Sequence, residues 1–403
     1  VRSVLQTNII FHKLFIMCLF TLFLPPLFLS IMDSTLTFYI GEAFFIFVFL
    51  LWLINILKLG KITYTNPIKI HLFFVITSSI SVVNADNLGR YLIGLTTYIE
   101  AGLVLLVLSN LTISSKKIEN LGTYFLVSSF VLTSFIFYET ILINGGNFML
   151  GNKIVLDIGS SNYLASLLLI PFFILFSKFL NKLTLQYLAG VVLTGVALIF
   201  TGSRTSLFIV FVFSVFLIIK ELFLSKISIA KKTIIAFSVC IGAYIIYVIG
   251  GRFLSQMAAT GRFDNLVNQS NLIDRFRIFE FYFAAFKDHP ILGNGYLNVN
   301  ALNEYYLAHN FILQTLADTG ILSCLLFMFL LFTINSYLKK GLAIVKNKKS
   351  FVFIIGYRRG FWAVLAHGML EPNFGTKLFM LYVFLGLGIV TLMIQNESKK
   401  SIH

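Results

Sequence analysis

Twelve separate apolar runs, each about long enough to cross a hydrocarbon layer, fix what this chain can fold into. A helix covers the roughly 30 Å of a bilayer core with about 20 apolar residues. The runs lie at 14–32, 38–57, 68–84, 91–110, 122–143, 162–180, 185–201, 206–224, 233–250, 311–337, 352–370 and 377–395. Backbone polar groups in lipid must be satisfied within the chain, so such runs fold as helices. Composition agrees. Of 403 residues 58% are hydrophobic and only 12% charged, with 45 Phe and 17 Tyr, whereas an ordinary soluble domain is about 25% charged. A soluble enzyme, a nucleic-acid-binding protein and a disordered chain are thereby excluded. The sequence predicts an all-α integral membrane protein of about twelve transmembrane helices, with both termini on one side. Three parts follow: spans one to nine over 1–250, a large extracytoplasmic loop over 251–310, and spans ten to twelve over 311–403.

The first run is longer than a signal-peptide core of about 7–15 residues and lacks a small-x-small cleavage site. It is therefore kept as a membrane helix, broken near Pro25 and Pro26, and Val1 reads as an alternative start codon. Cys18, Cys240 and Cys324 each fall inside an apolar run. They read as buried thiols, with neither a disulfide framework nor metal-ligand spacing.

The net charge of +15 needs no nucleic acid, because cations flanking membrane helices collect on the cytoplasmic side. With the N-terminus inside, the inner segments carry almost only Lys, as at Lys116, Lys117, Lys178, Lys346, Lys348 and Lys349. The outer segments hold mostly Arg: Arg90, Arg204, Arg252, Arg262, Arg275 and Arg277, with Lys153, Lys287 and Lys377. The outer arginines run against the positive-inside trend and call for another reason. A planar guanidinium suits phosphate.

In the outer loop, NLIDRFRIFEFYFAAFKDHP reads as an amphipathic helix capped by Asn271 and stopped by Pro290. Phe276, Phe279, Phe283 and Phe286 recur at helical spacing, so this helix should lie in the interface or pack on the bundle. Gly293 and Gly295 in LGNGY read as a turn rather than a phosphate loop.

Arg204, in TGSRTS, admits two readings: a snorkelling interfacial arginine, or an anion site at the N-terminus of span eight. Arg277 can pair with Asp274 on the solvated face. Arg275 shares a mostly apolar stripe with Ile278, Tyr282 and Phe286, where a cation is costly unless it meets an anion, so Arg275 is the preferred functional arginine. His309, in YYLAHNFILQTLADTG, stands beside Asn310 and near Glu304 at the outer mouth of span ten. It reads as a structural hydrogen-bonding residue or as a general base suited to neutral pH. His289 reads as structural, and His367 as a weaker candidate. Glu42, Glu100, Glu139, Asp318, Arg358 and Arg359 fall inside spans, where charges are usually paired or functional. Asp318, two turns below His309, either orients polar groups there or ties helices. Arg358 and Arg359 either sit in span eleven or mark its late start. No cluster has metal-ligand spacing and no nucleotide-binding motif occurs.

GSRTSL at 202–207, DRFRIFEFYFAAFKDHPILGNGY at 274–296 and AHNFILQTLADTG at 308–320, taken in order, resemble the O-antigen polymerase and O-antigen ligase superfamily of membrane glycosyltransferases. The resemblance covers the C-terminal half. It implies a GT-C-like fold in the bacterial cytoplasmic membrane and a site facing outside. The implied partners are polyprenyl-diphosphate-linked oligosaccharides, the lipid bilayer and a chain-length regulator, with no nucleic acid. By the same resemblance Arg204 and Arg275 hold the diphosphate and His309 is the general base, with Asn310, Arg277, Glu304 and Asp318 in support. The transfer is then inverting and needs no metal or other cofactor, since the lipid diphosphate supplies the leaving group. Polymerase is favoured over ligase on the DHPILGNGY stretch. A lipid-linked sugar flippase is the reading from another class, but neither internal repeats nor paired broken helices appear.

Overall fold

The computed structural model describes residues 2–31, 34–59, 62–111, 113–144, 154–224, 269–299, 307–371 and 373–400, with isolated positions between 228 and 244. The described residues form twelve α-helices: α1 (Arg2–Thr21), α2 (Ile40–Leu59), α3 (Asn66–Ser79), α4 (Leu88–Ser109), α5 (Ser115–Tyr138) and α6 (Ser161–Asn181). These are followed by α7 (Leu185–Thr201), α8 (Arg204–Ile219), α9 (Gln269–Asp288), α10 (Phe311–Ile344), α11 (Lys348–Gly368) and α12 (Lys377–Lys400). Beside them are a 3-10 turn (Ile80–Asn84), two π-helical turns (Glu139–Ile143 and Lys220–Leu224) and two antiparallel hairpins, β1 (Leu27–Ile31) with β2 (Ser34–Phe38), and β3 (Val155–Leu156) with β4 (Gly159–Ser160).

Among the described residues, eight helices are long and apolar enough to cross a membrane. The apolar stretches of α1 and α7 are shorter, at Ile10–Thr21 and Leu185–Thr201. The ninth predicted span, 233–250, lies largely outside the described residues, as do Cys240, Arg252, Arg262 and Lys153. The first predicted span is corrected. Its helix stops at Thr21, ahead of Pro25 and Pro26, and residues 27–31 pair as a strand with 34–38. Proline removes a donor and pushes its predecessor out of the helical region, so two in succession end this helix rather than kink it.

Helices α6 and α12 are buried along almost their whole length and form the centre of the bundle. Against them pack α11 on α6 and α4 on α12, while α10 lies on α3 and α1 on α2. The α11–α6 contact has a sequence cause. Gly356 and Gly360 stand four apart, and a Cβ on either would sit 2.6 Å from the Cα of Ile174 or Ile170 on α6. Two small residues at that spacing let helix backbones approach closely, the usual membrane packing device.

Helix α10 breaks at Gly320 (φ 75°, ψ 177°). The loop after α9 is seated in that break. Asn294 N–H donates to Ala317 O at 3.0 Å, Gly295 N–H to Asp318 O at 2.9 Å, and Ile321 N–H to Pro290 O at 2.9 Å. The carbonyls freed by the kink are thus satisfied, as buried backbone groups require. Gly293 and Gly295 have φ of 75° and 88°, so LGNGY is indeed a turn, and its purpose is to clasp α10.

Candidate active site

Three elements converge just past the end of α11. Asn310 caps α10, its Oδ1 accepting from the N–H groups of Ile312 (2.9 Å) and Leu313 (3.0 Å). Its Nδ2 donates to Met369 O at 3.1 Å, so one side chain starts α10 and ties it to the segment after α11. His309, one residue earlier, takes a left-handed backbone (φ 52°), which is uncommon for a residue with a Cβ. That turn aims its ring at Glu371: Nδ1 lies 3.1 Å from Glu371 Oε2. From α9, Arg275 reaches the other carboxylate oxygen, Nη2 to Oε1 at 2.8 Å, and Nη1 donates to Leu370 O at 3.2 Å.

Glu371 is therefore a shared acceptor between an arginine and a histidine. Its side chain is 4% exposed, against 37% for Arg275 and 27% for His309. Burial works to raise its carboxyl pKa, but the His309 hydrogen bond and the Arg275 charge outweigh burial and hold it below the ordinary value of 4.5. The group is a carboxylate at neutral pH. A carboxylate only accepts hydrogen bonds, so the proton on this contact belongs to His309 Nδ1, and in the neutral ring the lone pair is then on Nε2. Arg275 uses two donors here and, being partly exposed, still presents guanidinium N–H groups outward.

The loop before His309 is held from behind. Ala308 N–H donates to Gln314 Oε1 at 2.9 Å, and Gln314 Nε2 donates to Asp318 Oδ2 at 2.7 Å. Tyr282 of α9 bonds the same Gln314. Asp318, buried one turn below Gln314, thus acts on the site through Gln314 and the backbone.

The other expected site residues separate. Arg277 is on the solvated face, its Nη1 4.0 Å from Asp274 with both side chains more than half exposed. Arg204 is exposed at the first turn of α8, preceded by left-handed Gly202 (φ 66°) and by Ser203, whose Oγ faces Ser206. Among the described residues it pairs with no carboxylate and does not join the Arg275–Glu371–His309 cluster. It does lie at the same end of the bundle. Glu221, just past α8, faces Arg359 in the middle of α11, and α8 packs on α11. Counting back from Glu221 to Arg204 climbs about 25 Å, and from Arg359 to the end of α11 about 14 Å, in the same direction. Glu304 lies outside the described residues. His289 is exposed past the end of α9, whereas His367 is fully buried beside Asn373.

The apolar face of α9 also needs correction. Ile278, Tyr282 and Ala285 are buried against Ala308 and Ala317, whereas Phe276 is 64% and Phe283 47% exposed. The stripe that carries Arg275 faces the bundle with Phe286 packed against it, whereas Phe276 and Phe283 face outward, and Lys287 Nζ sits over the Phe283 ring at 4.7 Å.

Among the charges inside spans, Glu42 and Glu100 both meet Lys377, at 2.8 and 3.4 Å. Arg358 bonds Asn335 at 2.9 Å and Arg359 bonds Ser177 at 2.9 Å. Both arginines therefore sit well inside α11 rather than at its start.

Glu371 was not singled out in the sequence. Its only signal is an acid standing immediately after the eleventh apolar run, in GMLEPNFG. No curated protein matches the chain. The model of the family described as O-antigen ligase matches residues 189–328, a stretch that contains Arg204, Arg275, His309, Asn310 and Asp318 but not Glu371. That match makes this part of the chain similar to the O-antigen ligase family, and with the apolar helices it supports a multi-pass membrane protein of polysaccharide assembly that is glycosyltransferase-like.

Proposed function

We propose that the protein is a surface-polysaccharide polymerase of a bacterial cytoplasmic membrane, working on the outer face. It moves a glycan from a polyprenyl diphosphate onto the terminal sugar of a second lipid-linked repeat. The Arg275–Glu371–His309 arrangement carries this reading. His309 Nε2 takes the proton of the acceptor hydroxyl as its oxygen attacks the anomeric carbon. The bond from that carbon to the diphosphate oxygen breaks with inversion, and the polyprenyl diphosphate leaves with the electron pair. Glu371 holds the ring in the productive tautomer and steadies the imidazolium that forms. Charge building on the diphosphate meets Arg275, with Arg204 entering from the same end of the bundle. Fixed donors of this kind stabilise the transition state more than the bound substrate. Asn310 and Asp318 are positioning residues.

The family description favours one second reading, a ligase that passes the finished polymer to a lipid A–core sugar. Deleting the gene and running the surface polysaccharide on a gel separates the two. A polymerase deletion leaves a single repeat on its anchor. A ligase deletion leaves no attached repeats and accumulates lipid-linked polymer. Complementation with His309→Ala should fail in either case, with turnover down about 10²–10⁴-fold. A normal ladder from that variant removes the base assignment.

A further inference from the structure

Arg359 has no part in the chemistry above, and it lines a cleft that runs from the middle of α11 to the end away from Glu371. The cleft, about 510 Å³, lies between the last turn of α6, the end of α8, the α10–α11 connection and the first three turns of α11. Lys346, Lys348 and Arg359 supply three cations, and Glu221 is the one carboxylate among the lining residues. Lys349 next door is already engaged with Glu119, while Lys346 and Lys348 are exposed and paired with no carboxylate among the described residues. The remaining wall is greasy, with Leu180, Phe351, Val352 and Ile355. Beside it the end of α8 turns Phe216, Ile219 and Phe223 outward. An occupant must therefore match a net positive head region and an apolar flank open to lipid. Basic pockets between membrane helices at the cytoplasmic side suit anionic lipid head groups, and Glu221, which faces Arg359, offsets only one of the three cations here.

We propose that this cleft binds the phosphate head group of an anionic phospholipid from the leaflet opposite the His309 site. The head group lies between Lys346, Lys348 and Arg359, and an acyl chain lies along Phe351 and Ile355. Helix α11, with 21 residues and a length of about 31 Å, then spans from this lipid to the Glu371 segment.

The test uses the full chain purified in neutral detergent, titrated with phosphatidylglycerol, phosphatidylcholine or inorganic phosphate. Bound lipid is counted by native mass spectrometry, and the unfolding temperature is read in parallel. Phosphatidylglycerol should bind and raise the unfolding temperature, and the other two should not. The variant with Lys346→Gln and Lys348→Gln changes only exposed side chains and should fold as wild type. Its phosphatidylglycerol affinity should fall about ten- to thirtyfold. Arg359→Lys, which keeps the charge, should bind better than Arg359→Gln. Equal binding of phosphatidylcholine, or unchanged affinity in the double Lys variant, overturns the proposal. Equal stabilisation by inorganic phosphate overturns the lipid as occupant.

Discussion

Glu371 concentrates more of the site on one side chain than any other residue. Replacing it with Gln keeps the size, removes the negative charge, and offers His309 an amide that can present either a donor or an acceptor. The ring then loses its fixed tautomer, and turnover should fall about 10²-fold or more while the donor lipid still binds. An in vitro polymerisation assay with separate measurement of lipid binding checks this, and unchanged turnover would remove Glu371 from the site. The same residue sets a pH dependence of stability. Its folded pKa lies below its ordinary value of 4.5, so its contribution is fully present above that value and fades as pH falls through the lower one. At pH 7 the contribution amounts to about 1–3 kcal/mol, at the lower end because Arg275 is 37% exposed. Thermal unfolding should show wild type losing this margin below about pH 4.5, and Glu371→Gln lacking it already at pH 7.

Two glycines with positive φ but different ψ, 13° at Gly202 and 177° at Gly320, carry different costs at the level of the elements. Gly202 (φ 66°) joins α7 to α8 with no atom within 4 Å of where a Cβ would stand, whereas a Cβ on Gly320 (φ 75°) would collide with Ile291 O. Gly202→Ala should cost about 1 kcal/mol, the left-handed penalty alone. Gly320→Ala should cost about 1–3 kcal/mol more, because the LGNGY clasp must shift and because φ 75° with ψ 177° is a backbone region open essentially only to glycine. Unfolding temperatures of the two variants in one detergent measure the difference, and equal shifts would refute the clasp. The same elements show what the sequence makes legible. Apolar length alone marks nearly every helix, and Asn310 announces the start of α10 because its side chain caps the two N–H groups that follow. The face of α9 was harder to read. A phenylalanine stripe and the Ile278–Tyr282 stripe are both apolar at helical spacing, and only the partner surface on α10 decides which is buried. Glu371 stayed hidden for a related reason: its partners are 62 and 96 positions away, and its own neighbourhood contains no motif.

On the scale of the whole molecule, the open quantity is which end of the bundle faces the cell interior. The Arg275–Glu371–His309 cluster and the cleft at Lys346 and Lys348 lie at opposite ends of α11, about 31 Å apart along its axis, close to the thickness of a bilayer core. The cleft end also carries Lys116, Lys117, Lys339, Lys340, Lys349, Lys399 and Lys400 in the ends and connections of α4, α5, α10 and α12. Lys flanking membrane helices marks the cytoplasmic side, so the proposed function predicts that the cluster faces outward, where a lipid-linked repeat awaiting polymerisation would meet it. Single cysteines placed by this geometry decide the matter. Cys18 and Cys324 are buried, and a background with all three native cysteines replaced by Ala leaves only the introduced thiol to react. Arg277→Cys, on the exposed face of α9, should be labelled by a membrane-impermeant maleimide in intact spheroplasts. Lys349→Cys, whose side chain is 83% exposed at the other end, should be labelled only after the membrane is opened. The reverse pattern would put His309 in the cytoplasm, where a polymerase acting on exported repeats has no substrate.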